Sequence, residues 1–448
     1  MSGKKASETY VKLEQREHVL LRPDTYTGSI NPTMEDHWVL TKDQTVKNQS
    51  IVHVPTLYKI FDELLVNAMD QCVLDDTLDV IKVEINRVEG WISVMNNGKG
   101  IPVEKHETHG IWIPEMIFGH LLTSSNYNDS EDRVTGGRNG YGAKLTNIWS
   151  KKFMLEVMDT SSHQKYTQLF EDNMSKINKP KVTKNNSKKS GYVQIKFYPD
   201  FKRMSLEGFD EHTLSLFEKR VYDAAACTNS RVKVYLNGNL LKIKTFDKYI
   251  DMYIGTKSDT PRVYEASGTR WEICVAPSES FKSVGFVNGV ACNRGTHIDY
   301  VVGYLIKKIT EFITSKHKNI KLKPAFIKEH LFVFVKCTII NPSFSSQTKD
   351  ECTTRAMSFG SRCDLSDNFI KSITKLGIVD EIINLAKFKE QKELNKTDGR
   401  KRNVIRGIPK LDDANWAGTS YPRGRQCRLS HMKLVTNLSS NKPILLEM

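Results

Sequence analysis

Residues 133–150 read RVTGGRNGYGAKLTNIWS, and the reading of this stretch decides the fold. Gly136, Gly137, Gly140 and Gly142 gather around the cations Arg138 and Lys144, after which the chain turns apolar. That many glycines free the backbone at a cost in order. Either the segment is a flexible loop, or the glycines let backbone N–H groups close around something large and negatively charged. A helix expected from AKLTNIW would aim the positive end of its dipole at the same place, with Lys144 in its first turn. The spacing is not the G-x-x-x-x-G-K-[ST] of a Walker loop, so a phosphate cradle of another kind is the functional reading.

Working outward, the chain has 448 residues, enough for two or more domains with their own cores. It is 39% hydrophobic and 26% charged, the balance of a soluble globular chain. The formal charge of +14 and a pI near 9.2 suit a polyanionic partner such as nucleic acid, and equally a protein that is simply basic. Eight cysteines are scattered without a C-x-x-C pair, and Cys352 and Cys363 lack histidines at ligand spacing. This argues against a zinc finger or a disulfide framework and fits a reducing compartment. No apolar run of about 18 residues suggests a membrane span, and MSGKKASETY lacks the apolar stretch of a secretory signal.

Residues 1–50 are polar and interrupted by Pro and Asn, and read as an N-terminal arm without core elements. VPTLYKIFDELLVNAMDQC then places Tyr58, Phe61, Leu64, Leu65 and Ala68 on one face of a helix, with Glu63, Asn67 and Asp70 on the other. A solvated helix face is the plain alternative for that polar trio. IKVEINRVEGWISVM alternates as a hairpin and runs into the glycine turn NNGKGIP. KFMLEVMDT, KYTQLFE and GYVQIKFYPD read as further strands, so helices lie beside a largely antiparallel sheet. A second region opens near VKVYLNGNLLKIK, whose Asn237-Gly238 pair signals a tight turn. It continues with strands RWEICVAPS and SVGFVNGVACN, a long helix DYVVGYLIKKITEFITSK, a strand EHLFVFVKCTIINP and one helix through SDNFIKSITKLGIVDEIINLAKFKEQKEL. Between these lies the polar loop SFSSQTKDE, carrying Gln347 and Lys349.

A site that hydrolyses a nucleoside triphosphate needs a metal ligand, a base for water and a phosphate cradle. Asn67 offers a hard oxygen for Mg²⁺, Glu63 one turn away offers a carboxylate, and Asn96 stands beside a glycine where a flat base can approach.

FDELLVNAMDQ, NNGKGIP, LLTSSNY, TGGRNGYGAKLTNI and QTK occur here in one order and at matching separations. Together they resemble the ATPase region of eukaryotic type IIA DNA topoisomerases, within the wider group shared by gyrase, MutL, the large heat-shock chaperones and histidine kinases. LRPDTYTGS and GIPKLDDAN resemble the topoisomerases specifically, and Asn96 stands where gyrases and chaperones carry Asp. The resemblance covers roughly residues 10 to 415.

It implies an α+β chain: a Bergerat-type α/β sandwich followed by a ribosomal-S5-like α/β transducer. The divisions are 1–50 for the arm or strap, 51–240 for the ATP-binding domain, 241–415 for the transducer and 416–448 for a divergent tail. By the same resemblance Glu63 is the general base and Asn67 the Mg²⁺ ligand, with Asn96 near the adenine. Ser124, Ser125 and Asn126 contact ribose and phosphate. Gly137, Arg138, Asn139, Gly140, Tyr141, Gly142, Ala143 and Lys144 form the phosphate lid. Gln347, Thr348 and Lys349 form the loop that reaches the γ-phosphate, with Lys349 acting in catalysis, and Tyr26 reaches the partner subunit's nucleotide. Lys316, His317 and Lys318 in TSKHKNIKLK resemble a DNA-facing loop, for which a solvated surface loop is the alternative.

The resemblance therefore implies ATP and Mg²⁺ as cofactors, duplex DNA as partner, a homodimer closed by ATP, no membrane, and the nucleus as location, with mitochondria in some lineages. After GIPKLDDAN the sequence departs from the family, WAGTSYPRGRQCRLSHMKLVTNLSSNKPILLEM taking the place of an acidic metal-binding domain. DNA cleavage is accordingly not expected of these residues. An ATP-gated DNA clamp with little turnover is the alternative to an ATPase gate.

Overall fold

Alternating apolar residues build one sheet and a continuous apolar strand organises another. The computed structural model describes residues 12–123, 132–137, 140–185, 190–317, 320 and 322–397. Helix α1 (Gln15–Leu21) and the hairpin β1 (Thr33–Leu40) and β2 (Val46–His53) precede the long helix α2 (Pro55–Leu74). Strands β3 (Val80–Asn86) and β4 (Trp91–Gly98) follow, then helices α3 (Ile113–Gly119) and α4 (Gly142–Ile148). Next come β5 (Ser150–Asp159), β6 (Gln164–Glu171), β7 (Lys176–Ile177), β8 (Lys181–Lys184) and β9 (Gly191–Pro199). Helix α5 (Glu211–Cys227) and the hairpin β10 (Lys233–Leu236) and β11 (Asn239–Leu240) complete the first layer pair.

The large sheet runs β11-β10-β3-β4-β9-β5-β6-β7, with β8 also paired to β6. Its pairings are antiparallel except β10 beside β3. In β3, Ile81 and Val83 point into the core while Lys82 and Glu84 face out, the period of two that a half-buried strand requires. Phe61, Leu65, Phe217 and Val221 of the covering helices pack with Ile81, Val83, Phe153 and Phe197 of the sheet. Each such side chain, fully buried, adds about 1.5–3 kcal/mol relative to exposure. Asn237 and Gly238 both take positive φ, 48° and 80°, the geometry of the tight hairpin turn their sequence signals.

The first fifty residues differ from the sequence reading. They carry α1 and a regular hairpin, and Val39 and Ile51 of that hairpin bury against Leu216 of α5. The apolar residues of TMEDHWVL and VKNQSIVH are grouped towards the strand ends, so no alternation announces them, yet their partner helix supplies the other half of the contact.

In the second region come α6 (Phe246–Ile254), β12 (Val263–Ser267), β13 (Trp271–Pro277), β14 (Lys282–Val287), β15 (Val290–Ala291) and β16 (Arg294–Gly295). They are followed by α7 (Thr296–Lys316), α8 (Pro324–Glu329), β17 (Leu331–Cys337), β18 (Glu351–Cys352), α9 (Asp367–Ile373) and α10 (Ile378–Thr397). The sheet order is β12-β13-β17-β14-β15, with β14 parallel to β17. Strand β17 is buried on both faces. Leu331, Val333 and Val335 meet α7, while Phe332 and Phe334 meet α6, so its sequence is apolar without alternation. The single helix expected over 366–394 is two helices, because Gly377 takes φ 82° and ends the hydrogen-bonded run. The divergent tail lies outside the described residues.

A buried ion pair ties the two regions. Arg220 of α5, fully buried, donates from Nε to Asp62 of α2 at 2.6 Å and from a terminal nitrogen to the carbonyl of Gly289 in the β14–β15 turn at 2.9 Å. Removing one partner of such a pair strands the other charge without water. Arg220→Ala is expected to destabilise the chain by roughly 3–5 kcal/mol in guanidinium unfolding, and the double variant with Asp62→Asn by less than the sum of the singles.

Candidate active site

The polar trio of α2 is not a solvated face. Glu63 is 3% and Asp70 8% exposed, and Asn67 between them is half-buried. A carboxylate this deep needs compensation, and Glu63 finds it twice: Lys59, one turn before it, at 2.8 Å, and Lys349 from the second region at 3.0 Å, both to Oε1. Burial by itself would raise the Glu63 pKa. The two ammoniums outweigh burial and hold it at about 2. The carboxylate is therefore ionised at all physiological pH values.

The glycine segment wraps the same helix. An added Cβ at Gly142 would lie 2.1 Å from Glu63 Oε2, so only glycine lets α4 start against the carboxylate. At Gly137 it would lie 3.2 Å from Asp70 Oδ2 and 3.9 Å from Asn67 Oδ1. Asp70 accepts the backbone N–H groups of Gly136 and Gly137, both at 2.8 Å, one on each oxygen. Burial raises its pKa to about 6 against the pull of those two donors. Lys144 does not stand open to solvent. Its ammonium donates to the carbonyls of Thr123 and Gly140, both at 2.5 Å, and burial lowers its pKa to about 8. It thus ties the far part of the glycine segment, at Gly140, to the backbone at Thr123. Helix α4 has seven residues, so its dipole contributes less than the sequence reading supposes.

The other base of the segment is sewn to the second region. Asn341 donates its N–H to the Arg133 carbonyl at 2.8 Å, and Asn288 donates its amide to the Thr135 carbonyl at 3.3 Å. The loop that brings Lys349 to Glu63 holds that residue at φ 65°, a left-handed conformation that costs a lysine on the order of 1 kcal/mol. Thr348 of this loop lies 3.6 Å from where a Cβ on Gly28 would stand, and Thr348 donates to Asp350.

The structure gathers Glu63, Asn67, Gly137, Gly140, Tyr141, Gly142, Ala143, Lys144, Thr348 and Lys349 around α2, with Gln347 half-buried on the same loop. Asn96 is half-buried near the end of β4, its amide donating to the Asn97 carbonyl at 3.1 Å. Tyr26 packs edge-on to Tyr141 of its own chain, 6.3 Å between rings, and bonds His18 at 2.9 Å. Lys316 and His317 are exposed at the end of α7, where Lys316 covers the Phe312 ring at 4.4 Å, beside Lys371 and Lys375. Ser124, Ser125, Asn126, Arg138, Asn139 and Lys318 lie outside the described residues. Lys59, the Asp70 clamp and Arg220 were missed from the sequence. A Gly-Gly pair whose two N–H groups need an acceptor, with Asp70 on the face carrying Glu63, is the signal that could have found the clamp.

Residues 53–184, which hold this helix, carboxylate and glycine segment, match the family model described as histidine kinase-, DNA gyrase B-, and HSP90-like ATPase. Residues 235–402 match the model described as DNA gyrase B. The chain is 45% identical over 429 residues to DNA topoisomerase 2 of Arabidopsis thaliana, covering 94% of this chain and 29% of that protein. It aligns with the ATPase region of Saccharomyces cerevisiae topoisomerase II at TM-score 0.80 and 42% identity, over 85% of this chain and all of that one. The ATPase and transducer domains of DNA topoisomerase II from Balamuthia mandrillaris align at TM-score 0.83 and 42% identity, over 87% and 100%. The chain belongs to the type II DNA topoisomerase family, as an ATPase region with its transducer. It spans about three tenths of the length of the curated relatives it matches.

The raised Asp70 pKa has a sign that can be checked. A carboxyl whose folded pKa exceeds its unfolded value of 3.8 adds stability that is full below pH 3.8 and lost as pH rises through about 6. The stability of the native chain minus that of Asp70→Asn is expected to fall by about 3 kcal/mol across that window and to stay flat above it, measured by denaturant unfolding at a series of pH values.

Proposed function

We propose that this chain binds ATP with Mg²⁺, hydrolyses it, and uses the cycle to close a dimeric gate around duplex DNA. The observation that carries this reading is the 3.0 Å bond from Lys349 to Glu63. A lysine from the second region holds the base of the first, so it reaches a γ-phosphate only by leaving that carboxylate. In this reading residues 51–240 bind the nucleotide, residues 241–415 act as transducer, and the first fifty residues strap the partner.

Glu63 is ionised and accepts a proton from the attacking water as the terminal phosphoryl group transfers to it, leaving ADP and phosphate. With two ammoniums on it the carboxylate is a weak base. A triphosphate that draws Lys349 to its own negative charge removes one of them, and Glu63 becomes more basic when substrate is in place. Asn67 fits a magnesium ion: it is half-buried, and no described residue engages its side-chain amide, which presents a hard oxygen beside the glycine segment. The ion would neutralise charge on the phosphates. The N–H of Gly137 is held by Asp70, so the amides that follow it, through Lys144, would meet the phosphate oxygens, and Asn96 the base. Gln347 and Lys349 would then exist in two placements, one favoured by ATP alone.

The positive charge of the chain supports a DNA partner, with Lys316, His317 and Lys318 as its contact, and family membership supports a dimer in the nucleus. The deciding test is the steady-state ATPase rate per chain against protein concentration, with and without duplex DNA. A rate that rises with concentration and with DNA supports the gate. A negligible flat rate with intact ATP binding makes the chain a nucleotide-gated clamp.

Glu63→Gln is expected to keep ATP binding and nucleotide-driven dimerisation by sedimentation while turnover drops by roughly 10²-fold or more. Lys349→Ala is expected to leave ADP affinity near normal and to weaken dimerisation with a non-hydrolysable ATP analogue. Equal loss with both nucleotides would contradict its γ-phosphate role.

A further inference from the structure

The N-terminal hairpin carries a cluster that the ATPase site does not use. Alternation places Glu35, His37 and Val39 of β1 on the face shared with Ile51 and His53 of β2, the face that buries Val39 and Ile51 against α5. His53 is 6% exposed, yet its Nδ1 has no hydrogen-bond partner, and neither has the buried Nε2 of His37. The orphaned Nδ1 of His53 is costly, because it has lost water without replacement, while His37 Nε2 has only the distant carboxylate of Glu35. The two rings meet edge to face with centroids 4.4 Å apart. Glu35 sets a carboxylate oxygen 3.5 Å from His37 Nε2, and one ligand atom from each of the three residues lies within 4.8 Å of the others.

We propose that Glu35, His37 and His53 form a binding site for a borderline divalent transition metal, Zn²⁺ in the first instance. Two imidazoles and one carboxylate are a donor set that zinc takes with water in the fourth position. Tetrahedral bonds of about 2.0–2.1 Å put neighbouring ligand atoms roughly 3.3–3.4 Å apart, so the His37–Glu35 edge already has the right length. The remaining contraction is roughly 1 to 1.5 Å, within the reach of side-chain rotation on the partly exposed Glu35 and His37. Magnesium and calcium are disfavoured, since both prefer sets of oxygens. The charge of buried Lys219 reaches His37, and its pairing with Asp223 at 2.9 Å offsets much of that opposition to a metal. Asp210, which faces His53 from the start of α5 with its carboxylate capping Thr213 at 2.6 Å, adds a favourable negative field.

The position gives the metal a structural effect. On the opposite face of β1, Trp38 stacks on Phe332 of β17, ring centroids 5.6 Å apart and nearly parallel. The hairpin is thus a splint between α5 and the second sheet, and a metal on its inner face fastens both strands to one another beneath α5.

The test is zinc titration of the chelator-treated full chain, without nucleotide and in excess Mg²⁺, by competition with a chromophoric chelator, together with the visible spectrum of the Co²⁺ form. One equivalent bound at micromolar affinity or tighter, with an intense four- or five-coordinate cobalt spectrum, is expected. His37→Ala and His53→Ala are expected to weaken binding by roughly 100-fold and Glu35→Gln by roughly tenfold. Glu35 and His37 are partly exposed, so their variants report on the site even if His53→Ala fails to fold. Absence of binding by the native chain overturns the proposal, as does an equivalent whose affinity and cobalt spectrum survive His37→Ala and Glu35→Gln together.

Discussion

A buried carboxylate between two ammoniums is the constraint around which the rest is arranged. Glu63 would be an intolerable charge inside the core without Lys59 from its own helix and Lys349 from the second sheet's loop. One of the two compensating charges is fixed by the pitch of α2. The other depends on the approach of a distant segment held in a left-handed conformation. The electrostatic need of one residue thereby becomes a reason for two folded regions to stay together.

The same helix makes the neighbouring connection. Asp62, one residue before Glu63, holds Arg220, whose guanidinium also bonds the Gly289 carbonyl. Asp70, two turns on, holds the N–H groups of Gly136 and Gly137. Helix α2 thus bonds, through successive acidic residues, to the second sheet's loop, to its β14–β15 turn by way of α5, and to the glycine segment. Interactions of this kind favour discrete arrangements over gradual ones, because a buried charge leaves its partner only when another is ready.

Much of this was legible in the sequence. The spacing of Tyr58, Phe61, Leu64 and Leu65 gave α2, the alternation in β3 gave its hairpin, and Asn237-Gly238 gave the turn before the second region. The ordered motifs pointed to the family, and Glu63, Asn67 and the glycines to one place. What failed did so for tertiary reasons. Strands β1 and β2 bury Val39 and Ile51 on Leu216, a partner far along the chain, which no local period records. The break at Gly377 sits within a pattern that is helical on both sides. Asp70 was visible as a polar residue on the right face, but its pairing with Gly136 and Gly137 became visible only in three dimensions. Histidines 37 and 53 stand on different strands, and only the hairpin register makes them neighbours.

The glycine segment has a mechanical consequence. Its near end is stitched to the second region through Asn288 and Asn341, while its far end begins α4 against Glu63 with Lys144 drawing it in. Only two residues separate Gly137 from Gly140. The contacts at its two ends are therefore close neighbours in the sequence. A ligand that changes the contacts at one end acts within a few residues of the hydrogen bonds that hold the other.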